Sequence, residues 1–179
     1  MDSVDTVVRT IVAPTDGSDH AMKAVTLACD LASRYEAKLI LLHVLSHKLS
    51  RTQLARMVDY ESLTAPAHDT ASIPKSMPEF LAGTATSGKE GAVHAALEHV
   101  GDQLLEKAKE VAKSKGVTNV STQIEEGDPV ERIIGCAERE KVDLIVMGSR
   151  GLSDLKGLMV GSVSHKVGHL AECTCVTVK

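Results

Sequence analysis

The chain has 179 residues, 43% of them hydrophobic and 25% charged, a composition suited to one globular domain. Twenty Lys and Arg against 24 Asp and Glu leave a net charge of −4, so there is no basic excess to meet a nucleic-acid backbone. Tyr35, Tyr60 and Phe80 are the only aromatic residues, which excludes a base-stacking surface or an aromatic sugar-binding cleft.

Short apolar runs alternate with amphipathic helical stretches, the pattern of stacked β-α units on a parallel sheet. A first strand is predicted over Thr10 to Pro14, followed by the turn Thr15-Asp16-Gly17-Ser18. Ala21, Val25, Ala28, Leu31 and Ala32 recur at helical spacing and predict a helix from about Ser18 to Tyr35. Lys38 to Val44 is apolar at nearly every position, as a strand covered on both faces requires. Residues 46–91 hold Pro66, Pro74 and Pro78 with little periodicity; only Leu49 to Leu63 has helical character. They read as a partly flexible insertion within a single domain spanning 1–179. Val93, Leu97, Val100, Leu104, Ala108 and Val111 restore a helical stripe that Gly116 closes. A weaker strand is predicted over Val117 to Ile124. Asp128, Pro129 and Glu131 then form a helix start, with a capping carboxylate, a first-turn proline and an acid three residues on. Val142 to Met147 predicts a buried strand, Ser162 to Ala171 a short helix and Thr174 to Val178 a last strand. The result is an α/β fold: an open, doubly wound, Rossmann-like sheet with helices on both faces.

The opening Met1-Asp-Ser-Val-Asp lacks the positive region and apolar stretch of a secretion signal, and no apolar run is long enough to span a bilayer. Cys29, Cys136, Cys173 and Cys175 include no CxxC pair and read as reduced thiols. A cytoplasmic protein is expected, with no nucleic-acid or membrane partner.

Chemistry concentrates in residues 147–162, which leave the carboxyl end of a buried strand and run into a helix. Ligands of open α/β sheets bind at that edge. Gly148, Gly151 and Gly161 can take positive φ and let a ligand come close to the backbone. Gly161 and Ser162 are expected to offer free N–H groups at a helix start, where the dipole favours an anion. The Ser162 hydroxyl is a further donor or a cap, and Arg150 and Lys156 could meet remaining negative charge. Two readings stay open here: a phosphate site, or a long turn whose glycines permit a sharp path. Asp16, at the same edge, is either a ligand for Mg²⁺ or a ribose hydroxyl, or a turn residue.

The spacing Gly148-x2-Gly151-x9-Gly161-Ser162 resembles the nucleotide-binding signature of the universal stress protein family. Pro14-Thr-Asp16-Gly-Ser18, Leu41-Leu-His-Val44, Val142-Asp-Leu-Ile-Val-Met-Gly148 and Ser162-Val-Ser-His-Lys-Val167 look like the same family, so the resemblance covers residues 8–45 and 92–178. It implies strand order 3-2-1-4-5, a homodimer and, in the ATP-binding subgroup, bound ATP with Mg²⁺ or Mn²⁺. Carried over by position, Pro14, Thr15 and Asp16 would stand on the ribose and adenine side, with Asp16 also the candidate metal ligand. Val44 would contact adenine, and Met147 would line the base and ribose pocket. Gly148, Gly151, Gly161 and Ser162 would wrap the phosphates, with Val163 contributing at the helix start. Arg150 is added on its charge alone. The family pairs its last strand across the dimer. Here Thr174 replaces the usual proline and Cys175 a valine, which leaves the dimer geometry less fixed.

Other patterns carry less. Gly83 to Glu90 approaches a P-loop but has Glu90 where Ser or Thr should bind Mg²⁺. His165 and His169 lack a third metal ligand, Cys173 and Cys175 are expected to be packing residues, and His43 a hydrogen-bonded core histidine. The adenylating relatives of this fold carry Ser-Gly-Gly-x-Asp-Ser after the first strand, where this chain has Pro14-Thr-Asp-Gly-Ser-Asp19. No catalytic triad is found. The expected function is therefore a dimeric, ATP-binding stress-response regulator, a nucleotide-dependent switch with at most slow hydrolysis and an unidentified protein partner, residues 46–91 being the candidate responding element. Alternatives are a nucleotide-independent interaction module and an enzyme acting on an adenylated small molecule.

Overall fold

A computed structural model describes residues 8–46, 90–152 and 161–179. Its elements in order are β1 (Thr10–Pro14), α1 (Asp19–Tyr35), β2 (Lys38–Leu45), α2 (Glu90–Ser114), β3 (Val120–Glu126), α3 (Pro129–Arg139), β4 (Leu144–Gly148), α4 (Ser162–Leu170) and β5 (Thr174–Val178). The strands form one parallel sheet in the order β3-β2-β1-β4-β5, the order that the family resemblance implies.

Strand alternation divides the core between two faces. Ile11, Ala13, Leu39, Leu41, Leu144 and Val146 meet Ala24, Val25 and Ala28 of α1 and Leu105, Ala108 and Ala112 of α2. Val12, Ile40, Leu42, Ile145 and Met147 meet Ile133 and Cys136 of α3 and Val167 of α4. The central strands are apolar throughout because both faces are covered. The outer strands β3 and β5 are only half-buried and carry polar residues.

Helix boundaries follow local chemistry. Ser18 caps α1 by accepting the Ala21 N–H, and Asp128 caps α3 by accepting those of Val130 and Glu131. At the other end of α2, Gly116 sits at φ 75°, its N–H bonds the Lys113 carbonyl, and the Val117 N–H reaches back to the Ala112 carbonyl. This motif satisfies the last carbonyls of the helix.

It also corrects two strand starts. Val117 is committed to the end of α2, so β3 begins at Val120 and not at Val117. The Val142 N–H is likewise committed to the Ala137 carbonyl, and β4 begins at Leu144. Helix α2 starts at Glu90, a little before the stripe read from the sequence. The helical character of Leu49 to Leu63, the near-P-loop up to Lys89 and the side chain of Val93 lie outside the described residues, as does most of the expected insertion.

Candidate functional site

The chain reverses its order of strand addition between β1 and β4. The loop after β1 leads to α1 on one face, and the loop after β4 leads to α4 on the other. The loops therefore part, and a crevice opens outside the carboxyl ends of the strands.

The first loop is tied down at each residue. The Thr15 N–H donates to the Leu42 carbonyl at 2.8 Å, its carbonyl accepts from His43 Nδ1 at 2.8 Å, and its hydroxyl oxygen accepts the Gly17 N–H at 3.2 Å. Thr15 thus has its polar groups engaged within the protein and shapes the loop. Asp16 Oδ1 accepts the Ser18 N–H at 3.0 Å, a turn bond, while Oδ2 accepts the Leu152 N–H at 2.9 Å. One carboxylate thereby fastens the loop after β1 to the loop after β4.

The second loop pivots on Ser149. Its N–H donates to the Val178 carbonyl at 2.7 Å, and its own carbonyl accepts the Gly161 N–H at 2.7 Å and the Ser164 hydroxyl at 2.9 Å. One permitted conformation goes unused, and one expectation needs correction. Gly148, Gly151 and Gly161 have no positive φ; what they provide is close approach. A Cβ on Gly148 would lie 2.8 Å from backbone atoms of His20 and Ala21, one on Gly151 would overlap Asp16 Oδ2, and one on Gly161 would lie 3.1 Å from the Ser149 carbonyl oxygen. Nor is the Gly161 N–H free, because Ser149 takes it. Gly161 is itself the N-cap of α4 and supplies no side-chain bond, and Ser162 is the first helical residue rather than a cap. The first-turn residues of α4, Ser162, Val163 and Ser164, line the crevice, and among the described residues no side chain caps the helix start.

The crevice is a cavity of about 310 Å³. Pro14, Thr15, Asp16, Val44, Met147, Gly148, Arg150, Gly151, Gly161, Ser162 and Val163, all the site residues read from the sequence, line it. Lys156 lies outside the described residues. Sequence reasoning missed Leu42, Ser46, Leu152 and Ser164, and above all Pro129 and Ile133, which bring α3 into the apolar wall. The available signal was the Asp128-Pro129 helix start, which aims the first turn of α3 at the same sheet edge as β2. The cavity accordingly has an apolar end, formed by Val44, Met147, Pro129 and Ile133, and a polar end at the glycine loop and the start of α4.

The universal stress protein family model matches residues 8–179. The chain belongs to this family. It is 35% identical over 164 residues to the universal stress protein YxiE of Bacillus subtilis, covering 92% of this chain and 94% of that one. The universal stress protein Rv1636 of Mycobacterium tuberculosis is 32% identical, with coverage of 92% and 91%. Among solved structures, universal stress protein UspA from Lactobacillus plantarum superposes with a TM-score of 0.65 at 24% identity, covering 96% of this chain and 98% of that one. A universal stress protein in complex with cAMP gives 0.58 at 23% identity, with coverage of 96% of each chain. One from Archaeoglobus fulgidus in complex with dAMP gives 0.59 at 14%, with coverage of 97% and 99%. At these identities the superpositions establish the fold alone.

In this universal stress protein His43 is 2% exposed and packs against Gly101 and Ile124. Burial lowers its pKa, opposed by the bond to Thr15 and by Asp16. With Nδ1–H donated to Thr15, the neutral ring leaves Nε2 as a buried acceptor that meets no donor among the described residues. His43 is the core histidine expected, and it holds the β1 loop in place. Burial pushes the thiols of Cys29 and Cys136 up to about 11, which makes them inert packing groups at neutral pH. Cys173 and Cys175 pack at the margin of the second core face. His165 and His169 are exposed on α4 and join no metal-ligating cluster among the described residues. No helix among the described residues is long and apolar enough to cross a membrane.

Proposed function

We propose that this protein binds an adenine nucleotide in the cavity between β1, β2, β4 and α4. ATP is the proposed ligand, and the protein acts as a dimeric cytoplasmic stress-response switch. The reading rests on one observation: a cavity of about 310 Å³ with an apolar end opens onto an uncapped helix start reached through a glycine loop. The base belongs at the apolar end, against Val44, Met147 and Ile133. The ribose belongs beside Asp16, and the phosphates belong at Gly151, Ser162 and Val163, where helix N–H groups favour an anion. The complexes of two structural neighbours with cAMP and dAMP support the same ligand class.

Asp16 is the one carboxylate lining the cavity among the described residues. Each of its oxygens accepts a single N–H, which leaves lone pairs for one bond to Mg²⁺ or Mn²⁺. That fits an ion carried mainly by the phosphates and water, which would neutralise phosphate charge. Slow hydrolysis at most is expected, since the His43 ring is committed to Thr15 and Asp16 to two backbone amides.

A second reading, a nucleotide-independent interaction module, draws on the bonds Leu152–Asp16 and Gly161–Ser149, in which protein groups take up two backbone N–H groups at the polar end of the cavity. Calorimetric titration of nucleotide-free protein with ATP, ADP and AMP separates the two. Saturable ATP binding that Gly161→Val with Ser162→Ala abolishes, in a variant that still folds, supports the switch. Absence of heat at millimolar ATP would leave the module reading.

A further inference from the structure

Three ligating side chains converge away from the cavity, where β3 ends beside α2. Glu126 is the last residue of β3, and His94 and Glu98 stand four apart on α2, on one helix face. His94 Nε2 lies 2.8 Å from a Glu126 carboxylate oxygen and 3.4 Å from one of Glu98. The three donor atoms all fall within 4.8 Å of one another.

We propose that His94, Glu98 and Glu126 form a binding site for a divalent transition-metal ion of the Zn²⁺ type, with water completing the coordination. Donors bound about 2.0–2.2 Å from zinc in a tetrahedral arrangement stand roughly 3.3–3.6 Å apart. The His94–Glu98 separation already has that value, and the His94–Glu126 pair needs to open by less than an ångström, a side-chain adjustment at half-exposed residues. The donor chemistry selects the ion class. Mg²⁺ and Ca²⁺ take oxygen ligands alone, whereas one imidazole with two carboxylates suits zinc and its neighbours. Two carboxylates around one imidazole also supply the negative charge that a dication requires.

The position has a structural consequence. Leu45, at the end of β2, pairs in register with Glu126, and the adjacent Gly127 N–H donates to the Leu45 carbonyl at 3.0 Å. Strand β2 ends at Leu45, and α2 begins at Glu90, one turn before His94. An ion here would therefore tie the beginning of α2 to the adjoining ends of β2 and β3. The competing account is an ion pair, with a protonated His94 between the two carboxylates and no metal.

The test uses the full chain, stripped with EDTA, desalted, free of nucleotide and titrated with ZnCl₂. One ion per chain is expected. His94→Ala, Glu98→Gln and Glu126→Gln should each weaken binding by at least the roughly 10–100-fold that changes around a metal's ligands produce. Zn²⁺ should raise the melting temperature of the wild type and leave that of His94→Ala unmoved. Co²⁺ in its place should give visible d–d bands without the thiolate charge-transfer band that cysteine ligation would add. Zinc binding of equal strength in all three variants would place the ion elsewhere on the chain and overturn the proposal. No binding at millimolar Zn²⁺ would do so too, leaving the ion pair. Because the substituted residues are half-exposed and the metal-free melting temperature is read in parallel, misfolding is distinguished from loss of the ligand.

Discussion

His43 shows how a single residue couples the core to the site. Its neutral ring donates to the Thr15 carbonyl, and its other nitrogen is enclosed by Gly101 and Ile124. Protonation would bring a charge and an unmatched N–H into that enclosure. The folded-state pKa is lowered, mainly by burial, so below the unfolded value of about 6.5 the unfolded chain binds the proton more readily. The stability His43 contributes is therefore complete above that pH and declines as pH falls through it. In urea melts, the gap between wild type and His43→Gln should be widest above neutrality and narrow towards pH 5. A constant gap would mean that His43 does not titrate differently in the two states. The glycines illustrate what a sequence leaves implicit. Their spacing marks positions where no side chain fits, but not whether the obstacle is a turn conformation or a neighbour, because His20, Ala21 and Asp16 are near only in space. Gly148→Ala would press a Cβ against backbone that cannot rotate away, and should cost about 1–3 kcal/mol in denaturant unfolding.

At the scale of elements, the starts of β1, β2 and β5 and the capped start of α3 were legible, and the starts of β3 and β4 were not. The Asp128 cap and Pro129 act through bonds of two or three residues' range, and the sequence states such local chemistry directly. Val117 and Val142 look like strand residues by composition, yet each spends its N–H on the preceding helix, a choice fixed by the left-handed residue before it. That residue is Gly116 in one case and Lys141, at φ 51°, in the other. A lysine there bears strain that glycine avoids. Lys141→Gly should therefore raise stability by ~0.5–1 kcal/mol, after the entropy glycine loses on folding is set against the relieved strain. Gly135 offers the opposite case inside α3. It stands in a helix, and a Cβ there would meet nothing within 4 Å. Gly135→Ala should stabilise by about 0.5–1 kcal/mol on propensity alone. Thermal melts of the two single variants and the double variant would check both values; the sites are close enough in sequence for additivity to be tested as well.

On the scale of the whole molecule, the apolar strands showed that the sheet is parallel and covered on both faces, and the family resemblance supplied the strand order. The cavity then follows from topology, because reversal between β1 and β4 leaves a crevice wherever such a sheet is built. The α3 wall was signalled only by the Asp128-Pro129 helix start, since Pro129 and Ile133 reach the cavity through the packing of α3 on the face that Leu42 and Met147 share. The sheet also bears on assembly, which belongs to the proposed dimer. Among the described residues, strand β5 pairs with β4 on one side only. The Thr174 N–H donates to Asp143 and the Val178 carbonyl accepts from Ser149, so parallel alternation directs the backbone groups of residues 174, 176 and 178 inward and those of 175 and 177 outward. An outward row of N–H and C=O groups is a template for a second chain. Thr177→Pro removes one outward donor and leaves the ladder to β4 intact, a placement proline tolerates on an edge strand. Wild-type protein should sediment as a dimer of the 19.0 kDa chain, and Thr177→Pro as a monomer with an unchanged far-ultraviolet spectrum. A dimeric Thr177→Pro would move the interface to another surface, and a monomeric wild type would remove dimerisation from the proposed function.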